Sequence, residues 1–195
     1  MFLKINWIVF SLIFTSLGCS NDAQDTKFYE FEGTVADCVE LNQWQNAVSI
    51  GVKNCKYTIS FPNEPDYKYF EEISTVFGKT KVWLVMYNDT VSNNTYSIKC
   101  TEFDNDSLKD LPTKEILKIA FKNFCTQNMM ELQSMDTVKH QNFIAFKYML
   151  SGEEDLITKM DIWSGKLLYE VGVISNLSTP SKDYDCFESS LNIIP

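Results

Sequence analysis

The chain has 195 residues, with 26 Asp and Glu against 17 basic residues, all of them lysine, for a formal net charge of −9. Phosphates and base edges are best recognised by arginine's planar fork on a basic surface, so an acidic chain without arginine argues against nucleic acid as a partner. The absence of any Cys-x-x-Cys unit gives no support to a structural zinc site.

The first 18 residues read as an export signal. Lys4 is a lone cation, an apolar stretch runs from Ile5 to Leu17, and small residues stand at Ser16, Gly18 and Ser20. Asn21, Asp22 and Gln24 follow too soon for the roughly 20 apolar residues that a membrane-crossing helix needs. Cys19 then becomes the key position. Gly18 admits cleavage by a lipoprotein signal peptidase, which expects a small residue before the cysteine. Against the usual pattern, Ser16 stands where leucine is normal, and Leu17 comes one place late. We expect Cys19 to be the lipidated (palmitate-bearing) first residue of the mature chain, with ordinary secretion as the alternative. Residues 19–27 are polar and unpatterned and read as a tether, and residues 28–195 as a single globular domain. Without the leader, 16 lysines face 26 acids, and 16 − 26 leaves −10.

Residues 28–54 carry an extra strand or helix that the pattern does not resolve. "YTISF", 57–61, is a strand stopped by Pro62, and "KVWLVMY", 81–87, reads as a central strand covered on both faces. A long loop, 88–94, leads to "TYSIKCTEF", where Tyr96, Ile98 and Cys100 share the core face. After Pro112 a helix is expected from Thr113 to about Leu132, with Ile116, Leu117, Ala120, Phe121, Phe124 and Leu132 on one face. Three strands follow: "NFIAFKYML", "DLITKMDIW" and "KLLYEVGVI", the last two joined at Ser164-Gly165. "KDYDCFESSLNII" closes the chain as a short helix or turn. The fold class expected is α+β, an antiparallel sheet packed against a long central helix and a short C-terminal one.

The candidate chemistry is sparse. Cys38 and Cys55, flanking a stretch of about 16 residues, are the expected disulfide, worth on the order of 3 kcal/mol; Cys100, Cys125 and Cys186 are left for a second pair and a free thiol. His140 is the single histidine and falls in the polar "TVKHQN", which reads as a solvated turn rather than a catalytic base. "DNDS", 104–107, begins like a calcium loop but lacks its glycine and closing glutamate, and "GEED", 152–155, reads as a charged turn. Trp44, Tyr67, Tyr69 and Trp163 are the aromatics considered for a binding face. Sequons at Asn88, Asn93, Asn105 and Asn176 matter only in a glycosylating host.

"YTISFP", one long middle helix, the hairpin "MDIWSGKLLYEV" and the closing "CFESSLNI", in this order, resemble the PsbP/Mog1-like superfamily, including its bacterial lipoprotein members. The resemblance spans roughly residues 55–195 and implies that fold. Together with the leader it leads us to expect a non-enzymatic lipoprotein of the cell envelope with no cofactor. Such a protein would be held to the membrane by lipid on Cys19 and would bind an envelope protein or a small ligand. An exported hydrolase with paired carboxylates and a secreted eukaryotic glycoprotein are the alternatives.

Overall fold

The computed structural model describes residues 28–31, 47–75, 78–104, 108, 110–179, 181 and 183–194. Cys19, Cys38, Trp44 and Asn105, together with the signal and the tether, lie outside them. The described elements are β1 (Phe28–Phe31), β2 (Val48–Val52), β3 (Tyr57–Phe61), β4 (Tyr67–Thr75), β5 (Gly78–Asp89), β6 (Asn94–Phe103), α1 (Thr113–Asn128), β7 (Glu131–His140), β8 (Phe143–Ser151), β9 (Asp155–Ser164), β10 (Leu167–Asn176), α2 (Tyr184–Ser189) and β11 (Asn192–Ile193).

The strands form two antiparallel sheets where one was expected. The smaller has the order β1-β2-β3-β11, the larger β4-β5-β6-β10-β9-β8-β7. Period-2 alternation makes each face of the large sheet a separate surface. On one face Trp83, Val85, Ile98, Met160, Tyr169 and Val171 meet Ile50, Ile59 and Phe61 of the small sheet and Phe187 of α2. On the other, Phe146, Tyr148, Leu150 and Trp163 meet Ile116 and Leu117 of α1. The order of layers is therefore small sheet with α2, large sheet, α1. Residues 82–86 of β5, the continuous apolar run, are all buried, and Trp83 and Val85 among them pack in the core against the small sheet.

Local chemistry sets the element ends. Pro62, which has no N–H to donate, follows β3 directly. The expected long loop at 88–94 shrinks, because β5 and β6 stay paired as far as Asp89 and Asn94. Ser164 pairs with Leu167, so the β9–β10 turn is Gly165 and Lys166, one residue later than expected; Gly165 has φ 71°, a left-handed value that glycine adopts without cost. The main helix ends at Asn128, where Met129 takes φ 51° and reverses the chain. Leu132 is thus on strand β7 and not on the helix, and β7 itself escaped the sequence reading.

The disulfide expectation is corrected. Cys55, in the 3-10 turn Lys53–Cys55 between β2 and β3, is bonded to Cys100 on β6, with Cα atoms 6.3 Å apart. Both cysteines are fully buried and face each other across the interface between the sheets, so Cys55 is not available to Cys38. Cys186 is also disulfide-bonded, and Cys125 carries a free thiol.

Candidate functional site

The densest polar constellation lies on the α1 face of the large sheet. Register places Glu170 of β10 between Lys99 of β6 and Asp161 of β9, and Lys159 stands two residues from Asp161 on the same face. Lys159 Nζ donates to Glu170 Oε1 at 2.6 Å and lies 3.1 Å from Asp161 Oδ1. Lys99 Nζ pairs with the other Glu170 oxygen. Tyr148 of β8 donates its hydroxyl to Asp161 Oδ2 at 2.7 Å. The helix closes the group from above: the Phe124 ring lies 4.0 Å from Lys159 Nζ, and Phe121 meets Tyr148 edge-on at 5.0 Å.

Two ammonium groups thus balance two carboxylates in a place where Asp161 is 0 % and Lys159 5 % exposed. Burial works to raise the Glu170 pKa, but Lys159 and Lys99 outweigh it and hold the carboxyl down at about 2. Burial raises that of Asp161; Lys159 opposes this, and the Glu170 charge adds to it. Burial likewise raises the thiol of Cys125, so it is held protonated.

Two carboxylates pushed apart in pKa have the electrostatics of an acid–base pair. Here both are locked into ion pairs with Lys159, whose ammonium is capped by Phe124 of α1. The arrangement therefore orients α1 on the sheet.

A pH dependence follows. Glu170 is depressed in the fold, so its contribution is present above its ordinary value of 4.5 and is lost as pH falls toward about 2. Thermal melts of wild type and Glu170→Gln are expected to differ most above about pH 5 and to converge toward about pH 2.

The other expected site residues do not converge. His140 ends β7, where its Nε2 donates to the Leu191 carbonyl at 3.0 Å; it ties the β7–β8 corner to the segment before β11 and is not a solvated turn residue. Tyr67 and Tyr69 stack at 6.1 Å on the edge strand β4, and Tyr69 donates to Glu71 at 2.6 Å. Trp163 lies well away on β9, packed on Phe103, and lines a shallow open groove with Leu111, Thr113 and Lys166. "GEED" is a turn, closed by the Gly152 N–H on the Asp155 carbonyl at 2.8 Å. Asn88 donates its amide to Asp66 at 2.8 Å.

Lys99, Lys159, Asp161 and Glu170 were missed in the sequence. Their signal is faint: charged residues at alternate positions of strands that otherwise read as covered. Alternation of that kind normally marks a solvent face.

No protein-family model matches the chain, and no curated protein does. Among solved structures, the chain is similar to cyanobacterial PsbP (CyanoP) from Synechocystis, at 11% identity over 91% of this chain and 98% of that one, with a TM-score of 0.47. It is also similar to a protein of unknown function from Pseudomonas aeruginosa, at 8% identity over 77% of this chain and 99% of that one, with a TM-score of 0.41.

Proposed function

We propose that the chain is an exported lipoprotein, tethered to a membrane of the cell envelope through lipid on Cys19, whose folded part is a non-catalytic binding or accessory module for an envelope protein or small ligand. The observation that carries the location is the cysteine chemistry. The Cys55–Cys100 bridge and the half-cystine Cys186 belong to an oxidising compartment, as an exported chain meets. With Cys125 free and Cys55 bonded to Cys100, Cys19 and Cys38 are the two remaining cysteines of the sequence, and both lie outside the described residues. With Cys19 lipidated, this reading pairs Cys186 with Cys38. The role as a binding module draws support from Asp161 and Glu170 being buried and held in ion pairs with Lys159.

Intact mass and non-reducing peptide mapping of protein from its native host test the reading. The expected result is an acylated N-terminus at Cys19 and a Cys38–Cys186 peptide, and Cys19→Ser is expected to release the protein from the membrane fraction. A Cys19–Cys186 peptide, or a mature N-terminus elsewhere, would overturn it.

A further inference from the structure

A second polar group, unrelated to the charge network, is buried at the tip of the β5–β6 hairpin. Asp89 and Asn94 face each other as its closing pair, and Tyr96 lies two residues beyond Asn94 on the same face of the sheet. Asp183, just before α2, packs onto this end of the hairpin, where its Oδ2 accepts from the Tyr96 hydroxyl at 3.2 Å. Asp89, Asn94 and Asp183 are 8 %, 5 % and 5 % exposed. Asp89 is held by the turn, accepting from the Val91 N–H at 2.9 Å and from the Ser92 hydroxyl at 2.6 Å. The Asn94 side chain also reaches the Tyr96 hydroxyl, as does Ser181.

Two features of this group are unexplained by the fold. First, among the described residues no lysine forms an ion pair with either Asp89 or Asp183, although the strand register and the Tyr96 hydrogen bond bring both carboxylates to the same end of the hairpin. Buried charge without compensation costs several kcal/mol, so such a pair needs a partner. Second, the Asn94 side-chain oxygen is buried with no hydrogen-bond partner. A buried amide oxygen without a donor is itself a signal of a missing group.

We infer that Asp89, Asn94 and Asp183 form a binding site for a hard divalent cation, with calcium the best match. All the available donors are oxygens: two carboxylates, an amide carbonyl and the Tyr96, Ser92 and Ser181 hydroxyls nearby. Such a set, with no imidazole or thiolate, favours calcium over zinc or copper. A cation there neutralises both carboxylates, supplies the partner that the Asn94 oxygen lacks, and fastens the hairpin tip to the segment leading into α2. The site is distinct from "DNDS", whose residues 105–107 lie outside those described.

The test uses purified protein stripped with a chelator and melted at constant ionic strength. With a dissociation constant in the range usual for extracellular modules, about 10⁻⁴–10⁻³ M, about 5 mM calcium chloride is expected to raise Tm by roughly 3 °C, and magnesium less. Asp89→Asn and Asp183→Asn are each expected to abolish most of that rise. Calorimetric titration of the wild type with calcium, independent of any variant, is expected to show one site in the same affinity range. No calcium-dependent shift and no titratable heat in the wild type would overturn the inference, as would a shift that persists in both variants. So would a higher Tm for Asp183→Asn without calcium together with no response of the wild type, because Asp183 would then sit there as a neutral acid donating a hydrogen bond.

Discussion

Lys159→Met is expected to destabilise the protein by about 3–5 kcal/mol, the largest effect of any single substitution in the large sheet. Methionine fills much of the same volume and keeps contact with Phe124, so the loss is electrostatic. The variant leaves Asp161, fully buried, with Tyr148 alone, and leaves Glu170 with Lys99. Urea unfolding should show a lower midpoint with an unchanged slope. The contrasting experiment replaces the whole group, Lys99→Met, Lys159→Met, Asp161→Leu, Glu170→Met and Tyr148→Phe, which removes two positive and two negative charges together. That variant is expected to lie within about 1 kcal/mol of wild type or above it, since buried ion pairs seldom outperform packed apolar side chains. A small loss for Lys159→Met would mean that water reaches the group past α1.

The same network shows where sequence reading stops. The apolar strands were legible because their residues obey one rule at a time: β3 ends at a proline, β5 is apolar without a break from Val82 to Met86, and β6 alternates. The face of α1 was legible for the same reason, with Ile116 and Leu117 buried where the helical period puts them. Strand β7 was not legible, because it is an edge strand exposed along most of its length and "ELQSMDTVKH" has no apolar stripe. Leu132 happened to continue the helical period, and only the left-handed Met129 breaks it. The second sheet was hidden because its strands are short and its last one, β11, is two residues long. Buried charges fail for a deeper reason: Lys159 and Asp161 look like a wetted face until the position of α1 is known. The Cys55 pairing is of the same kind. Nearness in sequence favoured Cys38, whereas the packing of one sheet on the other brings up Cys100.

That bridge should be the second large contributor to stability. Cys55 and Cys100 are 45 residues apart, and a closed loop of that length restricts the unfolded chain by about 4 kcal/mol in the chain-entropy account. The double variant Cys55→Ala/Cys100→Ala is therefore expected to melt about 10 °C lower, given the usual sensitivity of Tm for a chain of this size. Cys125→Ser, at a half-buried free thiol, is expected to change stability by about 0.5 kcal/mol or less. The loss should also be local. The small sheet is held to β6 by the bridge, to β10 by the Tyr169 hydroxyl on the Cys55 carbonyl at 2.8 Å, and at its β11 end by His140 on the Leu191 carbonyl, together with apolar contact. Hydrogen exchange in the double variant should then accelerate first in β2 and β3, while β9 and β10, paired along their whole length, stay protected. If all strands accelerated equally, the bridge would be acting on the unfolded chain alone, and the small sheet would be docked by its apolar face without it.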